Sequence, residues 1–191
     1  MSDEKLTTNM LILELSTMIV AIALALSAET INSFRLSVIS IIDYIVVNII
    51  VIWFWWRYIT DRLKYPIKNN SFPATDVFLL IIISLLPVFL ETGSIFYLSS
   101  ALFILAFTWA FLLYNILKQY KENLHPVLIN DLKSQINTRI FMGIIFLFVF
   151  IISFISIIMG RILFLFSILI IIYNSLITVI RRRHMKKFIK S

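Results

Sequence analysis

The chain of 191 residues contains no cysteine, three glycines, four prolines and two histidines, and only 14% of its residues are charged. Without cysteine there is no disulfide, no thiolate metal site and no cysteine nucleophile. So few glycines leave no loop to cradle a phosphate, and neither HExxH nor GxSxG occurs. Metal-assisted and nucleophilic catalysis therefore have little to stand on, and neither enzyme activity nor a cofactor is expected. His125 and His184 lie far apart in polar segments and read as solvated surface residues. The opening Met1-Ser2-Asp3-Glu4-Lys5 is acidic where a secretory leader would be basic, so the first apolar run is expected to be a true span.

What is abundant is apolar surface. Hydrophobic residues make up 61% of the chain, against about half in a soluble domain. They come in runs near twenty residues rather than in alternating ten-residue strands, which predicts an all-α, polytopic membrane protein. Six spans can be drawn, at 10–31, 37–59, 74–91, 95–119, 138–158 and 161–181, forming one transmembrane domain over 1–191 with a basic tail at 182–191. Six crossings place 15 of the 17 basic residues on one side, leaving Arg35 and Arg161 on the other. The positive-inside rule then puts both termini in the cytoplasm of a multi-pass cell-membrane protein.

The punctuation agrees. Pro66 and Pro73 mark a cytoplasmic link from helix two to helix three, and Glu91-Thr92-Gly93-Ser94 an outer turn. Met159-Gly160-Arg161 divides an apolar run too long for one crossing, and Pro87 should kink helix three. The link 119–138 is polar enough for a short surface helix. Trp53, Trp55, Trp56 and Tyr58 fall where an inner aromatic belt belongs. The tail Arg181-Arg182-Arg183-His184-Met185-Lys186-Lys187 follows a span directly, so it is expected to meet anionic headgroups of the bilayer rather than nucleic acid.

The first helix is the informative one. It is apolar enough to span, yet carries Glu14, Ser16, Thr17, Ser27 and Glu29, a row that a helix facing only lipid has no use for. Leu15, Met18, Ile22, Leu26 and Glu29 share one face. In a symmetric oligomer this face would form a hydrophobic constriction with a carboxylate ring above it, favouring cations; ordinary helix packing is the alternative. Ser16 and Thr17 would then bond a neighbouring helix or the turn before them. On the outer side, Glu29, Asp43 and Glu91 have only Arg35 and Arg161 to neutralise them. Either Asp43 pairs with Arg35 while Glu29 reaches the interface, or the three form an acidic outer vestibule; both can hold together.

Leu15-Ser16-Thr17 followed by Ala21-Ile22-Ala23 and a Leu-rich stretch ending in an acidic residue resembles the first helix of the lysosomal potassium channel family, transmembrane protein 175, and its prokaryotic relatives. There the helix begins Phe-Ser-Asp and continues Ala-Ile-Ala; here Leu15 and Thr17 replace the Phe and the Asp. Ile83-Ser84-Leu85-Leu86-Pro87 and Trp56-Arg57 are similar to the family's third helix and the end of its second. The resemblance implies a homotetrameric channel preferring potassium among monovalent cations, with Ile22 and Leu26 as pore rings and Glu29 at the next. The absence of TVGYG independently excludes a carbonyl filter. A secondary transporter leaning on Asp43, Asn48 and Glu91, or a non-conducting membrane scaffold, are the competing expectations.

Overall fold

The computed structural model describes the backbone of residues 3–33, 38–66, 74–91, 95–122 and 124–188, and side chains over 10–29, 41–66, 74–89, 95–122 and 124–173. Over these residues the chain is all-α, with six helices and no strand. They are α1 (Asp3–Ser33), α2 (Val38–Lys64), α3 (Ala74–Glu91), α4 (Ile95–Tyr120), α5 (Pro126–Ile155) and α6 (Ile157–Phe188). Four of them, α1, α2, α4 and α5, are long and apolar enough to cross a membrane; the apolar parts of α3 and α6 are shorter. The outward surface is apolar too: Ile41, Ile45, Ile49 and Ile52 make an exposed stripe along α2. Water would penalise so large an apolar face, whereas hydrocarbon does not.

The helices form two packed groups, α1 with α2 and α3, and α4 with α5 and α6, joined where α3 lies on α4. Of the four long apolar helices α4 is the most enclosed, with 56% of its span buried, and carries the fully buried Trp109; α1 is the least enclosed of the four at 28%. Helix α3 continues through the buried Pro87 and ends at Glu91.

Two boundaries differ from the sequence reading. Helix α5 starts at Pro126, twelve residues before the expected 138, so the polar link there is no separate surface helix but the first turns of α5. His125 is its N-cap: Nδ1 accepts from the Val127 amide at 3.4 Å, and the proline at N1 has no amide to leave unsatisfied. The break before α6 falls at the extended Ser156, not at Gly160. Gly160 instead lies buried inside α6, where a Cβ would sit 2.8 Å from Ser153 Cα on α5. Its lack of a side chain thus sets how closely α6 approaches α5.

Gly143 differs in kind. A Cβ there would meet only the ring of Phe107, a half-exposed side chain free to swing aside. Gly160→Ala should therefore destabilise by about 1–3 kcal/mol through overpacking against backbone. Gly143→Ala should be near neutral, since the better helix propensity of alanine offsets a small repacking. Thermal unfolding midpoints of the two variants in detergent check the contrast.

Candidate pore face and buried charged cluster

On α1 the inward side is Ile12, Ser16, Val20, Ala23 and Ser27, all buried against the subunit's own helices. The opposite side is open. Leu15 is 38% exposed, Ile22 48%, Leu11 59% and Met18 62%, and Glu14, Ala25 and Glu29 are exposed with them. Leu11, Leu15, Met18, Ile22, Ala25 and Glu29 follow a 4-3-4-3-4 spacing, the 3.5-residue repeat that keeps one seam facing a parallel neighbour in a left-handed supercoil. Leu26, expected among the pore residues, is half-buried at the edge of this stripe, about 80° round the helix from Met18. Ala25 is the exposed residue at that level of the helix. Glu29 ends the stripe and Glu14 is exposed beside its other end, the two about 22 Å apart along the axis. Carboxylates placed in so apolar a stretch need water or a polar partner.

The hydroxyls of α1 have local duties. Ser16 Oγ donates to the Leu13 carbonyl at 2.7 Å and Thr17 Oγ1 to the same carbonyl at 3.0 Å. Of the two motif positions, Ser16 faces inward and Thr17 outward. Ser27 Oγ accepts from Asn48 Nδ2 at 2.7 Å, which also reaches the Tyr44 carbonyl at 2.9 Å, clamping α1 to α2. The amide of Asn48 is thereby committed to structure.

Asp43 is buried and lies 3.5 Å from Arg161 of α6, which faces it across the bundle. Arg35, the partner expected from sequence, and the side chain of Glu91 lie outside the described residues. Glu29 remains exposed on α1.

The charged residues near the end of α2 are mostly not solvated. Arg62 and Asp76 form a two-pronged ion pair between α2 and α3, Nε to Oδ1 and a terminal nitrogen to Oδ2, each at 2.6 Å. The fully buried Tyr58 donates to the same carboxylate at 2.7 Å. It is therefore a core residue rather than a member of an aromatic belt. Of that set only Trp56 is well exposed, while Trp53 and Trp55 are half-buried. Arg57 donates to Gln135 of α5 at 3.0 Å, and Tyr120 of α4 donates to the Pro66 carbonyl. The last turns of α2 thus engage α3, α4 and α5.

Beside them Arg139 is buried with its guanidinium 4.6 Å from the Trp109 ring and 5.1 Å from that of Trp53. Asp61, itself buried, supplies negative charge toward Arg57 and Arg139. A planar cation between two indoles gains cation–π attraction that grows with desolvation. Arg139→Lys keeps the charge and loses the flat contact, so it should cost about 1–2 kcal/mol. A lowered thermal midpoint with unchanged helix content would register this.

From sequence Tyr58 belongs to the aromatic belt and Arg62 and Arg139 to the basic inner side. Their convergence with Asp61 and Asp76 in a buried cluster is missed, because near a span end each reads as an ordinary interfacial residue. The available signal was the pairing of Asp61 and Asp76 with arginines inside otherwise apolar segments. Among the described residues no cluster of histidine and carboxylate side chains could hold a metal ion. No family model, curated protein or solved structure matches the chain.

Proposed function

We propose that the chain is one subunit of a homo-oligomeric cation channel, preferring potassium, whose pore is lined by copies of α1. The observation that carries this reading is the outward stripe of α1, apolar from Leu11 through Met18, Ile22 and Ala25, ending in Glu29 with Glu14 exposed beside it, and open on the outside of its own subunit. Parallel copies about an axis would bury the seam, form an apolar throat that gates by dewetting, and set an acidic ring at Glu29 to concentrate cations. In this reading all six helices cross the cell membrane and both termini are cytoplasmic, which the distribution of basic residues supports.

The test is the purified protein, imaged as single particles and reconstituted in liposomes for potassium flux. A four-fold particle with α1 at its axis, together with flux that does not saturate, is the expected result. A monomer with saturable, coupled flux would instead identify a transporter, and an assembly that moves no ion a scaffold.

A further inference from the structure

The second feature of the molecule that its own helices leave unfilled is a cleft between α2 and α6. Among the described residues these helices do not pack backbone to backbone. Between them lies a cleft of about 350 Å³, at the lower end of the volumes that hold small ligands. Its walls are Val46, Ile50 and Phe54 on one side and Ile168 and Ile172 on the other, and Leu102 of α4 contributes to the floor. The half-exposed Ile49 and Ile172 mark the side on which it opens.

The two walls share one register. Counted from Asp43, positions three, seven and eleven further on are Val46, Ile50 and Phe54; counted from Arg161 they are Phe164, Ile168 and Ile172. Such spacing keeps each set on one helix face. Since Asp43 lies against Arg161 and the residues that follow each of them line the same cleft, α2 and α6 run in the same direction and the ion pair stands in line with the cleft, at one end of it. About 16 Å separates the pair from the far end, a length suited to an extended acyl chain.

At that end Arg161 is incompletely used. Its contact with Asp43, at 3.5 Å, is longer than a hydrogen bond, and its buried Nε has no hydrogen-bond partner. About a third of the side chain is exposed. A guanidinium whose side chain is a third exposed and only loosely paired is suited to bind a phosphate oxygen pair, which a neutral or purely apolar ligand cannot supply.

We propose that this cleft is a binding site for one anionic phospholipid, an acyl chain lying between α2 and α6 and the phosphate on Arg161. Asp43 orients the guanidinium from the other side and competes weakly with the phosphate. The site does not depend on ion conduction, so it stands or falls separately from the channel reading.

The experiment counts bound lipid by native mass spectrometry of the purified full chain, titrated with phosphatidylglycerol, phosphatidylcholine or inorganic phosphate. One phosphatidylglycerol per chain should be retained in preference to phosphatidylcholine. Arg161→Gln should weaken that retention about tenfold, the scale of a lost charge-assisted contact, while leaving the fold intact. Ile168→Trp should block retention by filling the cleft, and Ile49→Phe at its mouth provides the same test should the first variant not fold. Undiminished retention in Arg161→Gln, or in the filled-cleft variant, would overturn the proposal. So would equal occupancy by inorganic phosphate, which would make the site one for a free anion.

Discussion

Asp76→Ala should lower the unfolding free energy by about 3–5 kcal/mol, the cost of leaving a buried charge without its counter-ion. The pair it breaks is enclosed, with side-chain exposures of 7% for Arg62 and 4% for Asp76, so water cannot replace the lost carboxylate. Tyr58 loses its acceptor in the same step, and its hydroxyl is buried as well. The penalty should belong to the unpaired charge more than to the pair itself. Arg62→Leu with Asp76→Leu should therefore recover most of the stability that either single change removes, because a buried ion pair gains little over apolar residues of similar size. Thermal and denaturant unfolding of the two single variants and the double variant make the measurement. If the double change costs as much as the sum of the singles, the two residues do not act as a unit.

The second large effect concerns the α1 stripe. Because the chain has no cysteine, single cysteines can be introduced on an unreactive background. In a water-filled pore Met18→Cys, Ala25→Cys and Glu29→Cys should react with a charged thiol reagent in the reconstituted protein, and Val20→Cys and Ala23→Cys should not. Leu26, half-buried at the stripe's edge, should react more slowly than Ala25. Glu29→Gln should cut potassium flux about tenfold at low ionic strength and far less at 1 M salt, since the ring acts through local cation concentration and is screened. Ile22→Ala, by widening the throat, should raise leak. Uniform protection of the stripe from the reagent, with unaltered flux in both variants, would sink the channel reading.

The two predictions draw on different levels of information. Helix one could be singled out from its residues alone, because Glu14 and Glu29 in an apolar run are conspicuous at any register. Its exact seam could not. Counting from Ile22 reaches Leu26 as easily as Ala25, and only the side covered by the neighbouring helices distinguishes them. The Arg62–Asp76 clamp had no comparable signature. A rule that counts basic residues by side places Arg62 and Arg139 near the cytoplasmic face, but it is blind to whether they point outward or into the bundle.

Glycine shows the same division. Gly160 next to Arg161 reads as a turn, because glycine and charge usually interrupt an apolar run. In the folded chain the turn is a single residue, Ser156, and Gly160 is where α6 presses on α5. Local sequence carries the tendency of glycine to break a helix, whereas close packing is a property of two helices together.

The residues by themselves determined the all-α class, the helix count, the apolar runs long enough to span, and the anomaly of a carboxylate-bearing first helix, because each follows from hydrophobicity and periodicity along a single segment. The tertiary structure decided which side of α1 is left open, that Asp43 meets Arg161, that Tyr58 and Arg62 converge on Asp76, and that α2 and α6 stand apart over a cleft. These depend on distances between segments far apart in the chain, and long polar side chains can satisfy their charge in several directions until packing selects one.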